Sequence, residues 1–194
     1  APDGDNGWKA MQLDLPDNLS LGFGSTDEKS DEAFLVASGF TTPTTLYLSN
    51  AATGQIEEVK SLPAKFDAEG LVVEQLEATS SDGTKIPYFV VHRKDIPLDG
   101  NTPTLLNAYG GFQVSQTPYY SSNIGKLWLE RGGAFALANI RGGGEFGPAW
   151  HEAGLGTKRQ IIYDDFAAVG EDLIARKITS PKHLGIFGGS NGGL

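Results

Sequence analysis

The residues best suited to catalysis lie at the end of the sequence, in Gly188-Gly189-Ser190-Asn191-Gly192. This order fits G-x-S-x-G, the pattern of a sharp strand-to-helix turn that exposes a serine hydroxyl as a nucleophile. The small neighbours allow a backbone conformation that larger side chains would prevent. The alternative is a glycine-rich turn whose serine caps a helix. The pattern favours Ser190 as a nucleophile.

A second glycine motif, Tyr109-Gly110-Gly111-Phe112, follows the apolar run TLLNA. It would lie at the carboxyl end of a strand, where α/β sheets place ligands. Serine hydrolases stabilise the oxyanion with the N–H after the serine and with a donor from an earlier loop. The Asn191 N–H is the first candidate, and the loop backbone or the Tyr109 hydroxyl is the second. The alternative is that the motif forms a tight turn beside a core tyrosine and has no catalytic role.

Other charged residues have simpler structural explanations. Arg141 and Glu145 lie in the glycine-rich stretch 139–154 and could pair with each other or with a substrate, but we expect a structural role. Asp164 and Asp165 stand near the predicted start of an amphipathic helix, where carboxylates are favoured by the helix dipole. We therefore expect neither carboxylate to be catalytic.

None of the three histidines is a good candidate for the general base. A serine nucleophile needs a base and an orienting acid, and after G-x-S-x-G these follow in the order Asp or Glu, then His. His92 ends a predicted strand, and His183 lies about 20 Å from Ser190 along an extended strand. His151 fits a packing or surface role. We expect the acid and the base beyond residue 194.

An alternation of strands and helices positions these candidates. Two β-rich runs flank Asp82-Gly83, which is a hairpin signal. Apolar residues at 162, 166, 169 and 173 form one stripe of an amphipathic helix. The predicted elements after the hairpin are strand Thr104–Tyr109, helix Asn123–Gly133, strand Ala134–Ile140, the striped helix and strand Leu184–Phe187. This order predicts an α/β sheet with crossover helices.

Residues 1–65 differ from the rest of the chain in their predicted elements and in their charge. Strands are predicted at Ala33–Phe40, at Thr45–Ser49 and in the run IEEVKSL, as in a sandwich or one blade of a propeller. A small independent β domain is the alternative. Residues 1–70 carry 12 acidic and 4 basic residues, whereas 71–194 carry 12 and 11, which indicates a boundary near 65–70.

The composition excludes several classes of function. A net charge of −9 opposes nucleic-acid binding, and no apolar run is long enough to span a membrane. The absence of cysteine excludes disulfides and thiolate metal sites, and we expect neither a metal nor an organic cofactor. The first ten residues show no leader pattern. We expect a cytoplasmic protein, or a periplasmic or secreted one if a leader was removed.

The ordered motifs NAYGGF, NIRGGGEFGPAWHEAG, YDDF and GGSNGGL resemble the prolyl oligopeptidase family of serine peptidases. The resemblance implies the last strands of a β-propeller in residues 1–65 and the N-terminal part of an α/β-hydrolase domain in residues 66–194, ending at the nucleophile turn. It implies cleavage of short peptides after proline through an acyl-enzyme. By resemblance, Ser190 is the nucleophile, Tyr109 and the Asn191 amide are the oxyanion donors, and Phe112 contacts the proline pocket.

Two alternatives stay open. The chain could belong to a related peptidase of the acylaminoacyl, dipeptidyl or oligopeptidase B type, or to a non-catalytic binding scaffold. We also expect the 194 residues alone to be insoluble, partly folded or stabilised by a partner chain, because strand LGIF would lack cover on one face. Folding and activity would then need the remainder of the catalytic domain.

Overall fold

The computed structural model describes residues 7 and 10–194, so most of the N-terminal stretch searched for a leader lies outside the described residues. The chain divides into two compact units. The first is Ala1–Ala64 with Pro118–Ser121, and the second is Lys65–Thr117 with Ser122–Leu194. Within the described part, every helix is too short or too polar to cross a membrane.

The first unit contains an antiparallel sheet of four strands in sequence order. The strands are β1 (Leu19–Thr26), β2 (Glu32–Gly39), β3 (Thr45–Asn50) and β4 (Ile56–Ser61). The last three were predicted, and so was the turn before β4, where the Asn50 side chain accepts hydrogen bonds from the N–H groups of Ala52 and Thr53. Strand β1 was not predicted, because Gly22 and Gly24 interrupt its run of β-forming residues.

The second unit contains a mixed sheet of five strands, as the sequence predicted. The strands are β5 (Leu71–Thr79), β6 (Lys85–Arg93), β7 (Thr104–Ala108), β8 (Ala134–Ala138) and β9 (Leu184–Phe187). Their order in the sheet is β5-β6-β8-β7-β9. Strand β7 runs parallel to both β8 and β9, whereas β6 is antiparallel to β5 and β8. All five residues of β8 are buried, as expected for a central strand covered on both faces.

Three helices accompany this sheet: α1 (Ser122–Leu127), α2 (Pro148–Glu152) and α3 (Gln160–Ala175). Of the predicted stripe on α3, Ile162, Val169 and Leu173 are buried, and Phe166 packs against the same core. The predicted helix over 123–133 is shorter than expected, because Trp128 leaves the helical conformation. A 3-10 turn, Leu129–Arg131, follows it and ends at Gly132 with φ +86°.

A buried ion pair joins α3 to the loop after β8, which corrects the explanation given above for Asp165. The first turn of α3 contains no acidic residue, so the helix dipole does not account for Asp165. Its carboxylate is fully buried and accepts hydrogen bonds from Nε and Nη2 of Arg141, at 2.9 and 2.6 Å. The Arg141 backbone N–H and the Ser80 hydroxyl also donate to it. Arg141 further pairs with Asp82 in the β5–β6 hairpin.

Candidate active site

Ser190 lies at a sharp turn directly after a strand. Strand β9 ends at Phe187, and the 3-10 turn Ser190–Gly193 begins three residues later. Ser190 has φ +53°, in the left-handed region that side chains other than glycine rarely adopt. Strain of this kind persists only where the surroundings enforce it, and it is concentrated at functional sites. Ser190 is an exposed residue.

Two of the surrounding glycines make this turn possible. A Cβ atom at Gly188 would overlap the Gly192 carbonyl, and one at Gly192 would overlap the Ala108 carbonyl at the end of β7. No atom of the described residues comes within 4 Å of a Cβ built at Gly189, so that position has open space. The absent side chains therefore let the turn fold back on itself and pack against β7.

The loop after β7 lies beside this turn. Strands β7 and β9 are parallel neighbours, so their carboxyl ends meet at one edge of the sheet. A Cβ at Gly192 would lie 3.3 Å from the Cα of Tyr109. The Asn191 side chain donates a hydrogen bond of 2.6 Å to the Tyr109 carbonyl. The structure therefore brings Tyr109 and Asn191 together at the turn that carries Ser190.

The backbone N–H of Asn191 is suited to donate to a ligand. Asn191 is the second residue of the 3-10 turn, and the first N–H groups of a helix have no acceptor within it. The Asn191 N–H and the Tyr109 loop can therefore serve the same developing negative charge.

Phe112 is presented at the surface by a strained turn. Phe112 and Gln113 both have positive φ values, +53° and +57°, and the Val114 N–H closes the turn onto the Gly111 carbonyl at 3.0 Å. Phe112 is 74% exposed. An aromatic side chain held in this conformation at the surface is a candidate contact for an apolar ligand group.

The glycine-rich loop after β8 supports this turn. The Gly142 carbonyl accepts hydrogen bonds from the Gln113 N–H at 3.3 Å and from Nδ1 of His151 at 2.6 Å. Nδ1 of His151 also lies 3.2 Å from the Gln113 backbone nitrogen, and the two contacts of this atom require opposite tautomers of the ring. Nearby, Oε1 of Glu145 accepts from the Gln116 N–H at 2.8 Å. His151 and Glu145 therefore have structural partners, and Arg141 pairs with Asp82 and Asp165 rather than with Glu145.

Glu145 is partly buried, and this burial changes its acidity. Burial raises its pKa above the usual range, although its hydrogen bonds act in the opposite direction. Its Oε2 atom is buried and has no hydrogen-bond partner among the described residues. The Glu145 carboxyl therefore holds the segment after Phe112 through one oxygen only.

The other two histidines are also engaged elsewhere. His92 is buried, with Nε2 2.8 Å from Glu74 and Nδ1 2.7 Å from the Arg93 carbonyl. His183 contacts the Ser180 hydroxyl through Nδ1, at 3.0 Å. Among the described residues, no histidine forms a hydrogen bond with Ser190. The described residues therefore offer a candidate nucleophile and candidate oxyanion donors, with no histidine paired to the serine.

Arg159 belongs to the site although the sequence did not single it out. Its Nη2 donates a hydrogen bond of 2.9 Å to Oδ1 of Asn191. A pocket of about 440 Å³ adjoins the Ser190 turn, and Tyr109, Arg159, Tyr163 and Asn191 are the polar side chains on its otherwise apolar wall. The sequence offered one signal that Arg159 has a special role. Lys158 and Arg159 stand at the start of α3, where positive charge interacts unfavourably with the helix dipole.

Comparisons with known proteins point to one family. Residues 118–194 match the model of the prolyl oligopeptidase family. An uncharacterized peptidase of Sinorhizobium fredii is 61% identical over 98% of this chain and 26% of the relative. A prolyl endopeptidase of Elizabethkingia meningoseptica is 40% identical over 96% of this chain and 26% of the relative. The solved structure of a post-proline cleaving enzyme from Rickettsia typhi is 47% identical, with TM-score 0.83, over 98% of this chain and 28% of that one.

These similarities cover nearly the whole chain but only part of each relative. The chain spans about a quarter of the length of the curated relatives that it matches. Both compact units lie within the matched region, since the two curated relatives named above align over 98% and 96% of the chain.

Proposed function

Because the chain belongs to the prolyl oligopeptidase family, we propose that it supplies the nucleophile and the oxyanion donors of a serine endopeptidase that cleaves short peptides after proline. One observation carries the proposal: an exposed serine at φ +53° follows a parallel strand and packs beside the Tyr109 loop. Glycine would adopt this conformation without strain, so a serine there is best explained by the use of its hydroxyl.

In the proposed mechanism, the Ser190 hydroxyl attacks the peptide carbonyl carbon on the carboxyl side of proline. The carbonyl π electrons move to oxygen, and this oxyanion accepts hydrogen bonds from the Asn191 N–H and the Tyr109 hydroxyl. Collapse of the intermediate breaks the C–N bond, and the leaving amine takes the proton that a general base removed from Ser190. Water then attacks the acyl-enzyme by the same steps and releases the acid.

The general base and its orienting acid come, in this proposal, from the remainder of the catalytic domain. His92, His151 and His183 all have other hydrogen-bond partners. An Asp and then a His, later in the protein than Ser190, would complete the triad in the order typical of this serine motif. The same remainder would also be needed for folding.

Phe112 is the proposed contact for the proline side chain. Its ring is exposed, and the strained Gly111–Val114 turn fixes the direction of its side chain. Proline presents an apolar ring and lacks an N–H, so packing against an aromatic face is the most direct means of recognition. Anchoring of the turn by Gly142 would keep this contact in place during catalysis.

We assign the two units to parts of the family's architecture on the same basis. Residues 66–194 would form the N-terminal part of an α/β-hydrolase domain, supported by the strand order β5-β6-β8-β7-β9 and the serine turn after β9. Residues 1–65 would form the final strands of a β-propeller, supported by the four-stranded antiparallel meander. The same architecture would limit substrates to short peptides.

A substrate panel on the complete protein tests this function. Matched chromogenic peptides would end in proline, alanine or arginine before the reporter group, with an N-acylated amino acid as a fourth substrate. We expect kcat/KM to be at least tenfold higher for proline than for the others, and Ser190→Ala to abolish all cleavage. A preference for arginine or for the N-acylated substrate would replace proline specificity with that of a related peptidase. No cleavage of any peptide would favour a binding scaffold.

A further inference from the structure

The side chain of Asn191 links the two candidate oxyanion donors. Its Nδ2 donates to the Tyr109 carbonyl at 2.6 Å, and its Oδ1 accepts from Nη2 of Arg159 at 2.9 Å. The amide orientation follows from its partners, because an arginine can only donate and a carbonyl can only accept. One side chain therefore spans the loop after β7, the Ser190 turn and the start of α3.

The surroundings hold this link in one arrangement. A Cβ atom at Gly111 would overlap the Asn191 amide, so the glycine leaves the space in which the amide sits. Arg159 is itself fixed, because its Nε donates to the Tyr163 hydroxyl at 3.0 Å and its guanidinium lies 5.9 Å from the Tyr163 ring centre. Arg159 and Asn191 are both only partly exposed, which limits competition from water.

Helix stability does not explain Arg159. Lys158 and Arg159 lie at the N-terminal end of the 16-residue helix α3, whose first turn contains no acidic residue. A cation at this end is unfavourable for the helix dipole. Its hydrogen bond to Asn191 offers a reason for a guanidinium at this position.

We propose that Arg159 is a positioning residue that fixes the spacing of the two oxyanion donors through the Asn191 side chain. This inference rests on the proposed function of Ser190. Arg159 holds the Asn191 side-chain amide, and this amide holds the Tyr109 backbone, so the two residues proposed to carry the donors keep a fixed spacing. Donors set in place before reaction stabilise the transition state without reorganisation. Loss of Arg159 therefore acts on kcat rather than on substrate binding.

The test compares Arg159→Met with Lys158→Met in the complete protein. Both changes remove one positive charge from the start of α3, but of these two residues it is Arg159 that donates a hydrogen bond to Asn191. We expect Arg159→Met to lower kcat about tenfold with KM within twofold, which is less than the loss of a whole donor. Lys158→Met should leave both constants within twofold. Arg159→Lys, which keeps a donor, should recover part of the loss.

A peptide aldehyde that ends in proline provides a second readout, because its adduct with Ser190 carries the oxyanion. Its affinity should fall in Arg159→Met by the same factor as kcat/KM, whereas thermal stability should match that of Lys158→Met. A fall in kcat of less than threefold, or a fall that the aldehyde affinity does not share, would overturn the positioning role. Ser190→Ala is assayed in parallel: if it retains activity, the proposed function itself fails, whatever Arg159 does.

Discussion

Replacement of Asp165 by asparagine tests the buried ion pair that joins the glycine-rich loop to α3. Asp165 is fully buried and accepts hydrogen bonds from the Arg141 backbone and guanidinium and from the Ser80 hydroxyl. Asparagine has the same shape but places an NH₂ group against one of these donors. It also removes the negative charge, which leaves the 7%-exposed Arg141 side chain paired only with Asp82.

The expected loss is about 3 kcal/mol in the free energy of unfolding of the second unit. Removal of one partner from a buried pair typically costs about 3–5 kcal/mol, and the remaining contact with Asp82 places this case at the lower end. Asp164→Asn is the matched control, because Asp164 is the adjacent residue of the same helix and its side chain accepts hydrogen bonds from Ser81 and Gln160 at the surface. Its loss should stay below about 1 kcal/mol.

Hydrogen exchange of the complete protein, followed by mass spectrometry, measures this loss in the elements concerned. Peptides from α3 and β8 should exchange about 100-fold faster in Asp165→Asn, since about 1.4 kcal/mol corresponds to tenfold. Peptides from β1–β4 should keep their wild-type rates. Equal exchange in Asp165→Asn and Asp164→Asn, or a change below about fivefold in α3 and β8, would refute the role assigned to this pair.

Two further predictions follow from the site and from the same charge cluster. Tyr109→Phe in the complete protein should lower kcat by about 100-fold with little change in KM, because the hydroxyl would act only on the oxyanion; an unchanged kcat would remove Tyr109 from the donor set. The hydrogen bond from Arg141 and then those from Thr84 hold the pKa of Asp82 well below its usual range. Because the folded-state pKa is the lower one, its contribution to stability is present above about pH 4 and is lost as the pH falls further. The melting temperature should therefore fall less below pH 4 in Asp82→Asn than in the wild type, and parallel pH profiles would contradict this.

The sequence predicted the elements whose signals are local. Hydrophobic periodicity identified α3, and runs of β-forming residues identified the strands of the second unit. The glycines at 188, 189 and 192 predicted a sharp turn. The structure shows that positions 188 and 192 require glycine, because a Cβ at either would overlap a backbone carbonyl, whereas position 189 has open space. The assignments of Ser190, Tyr109, Asn191 and Phe112 to catalytic and binding roles stay predictions.

The errors arose where tertiary contacts outweigh local patterns. Asp165 was explained by its own helix, whereas its partners Arg141 and Ser80 lie 24 and 85 residues away. The helix after residue 122 ends early, because Trp128 turns out of it and donates to the Ala134 carbonyl. Helix α2 was missed within a stretch rich in glycine. The hydrogen bond from Arg159 to Asn191 joins residues that are 32 positions apart in the sequence, so no local sequence pattern could predict it.

The most direct measurement is the identification of the residue modified by a fluorophosphonate. The complete protein would be labelled, digested and mapped by mass spectrometry, with Ser190→Ala and the exposed-site control Ser81→Ala treated in the same way. A single adduct on Ser190, absent in Ser190→Ala and unchanged in Ser81→Ala, is the predicted result. Labelling that persists in Ser190→Ala, or no labelling of a folded wild-type protein, would contradict the assignment of Ser190 as the nucleophile.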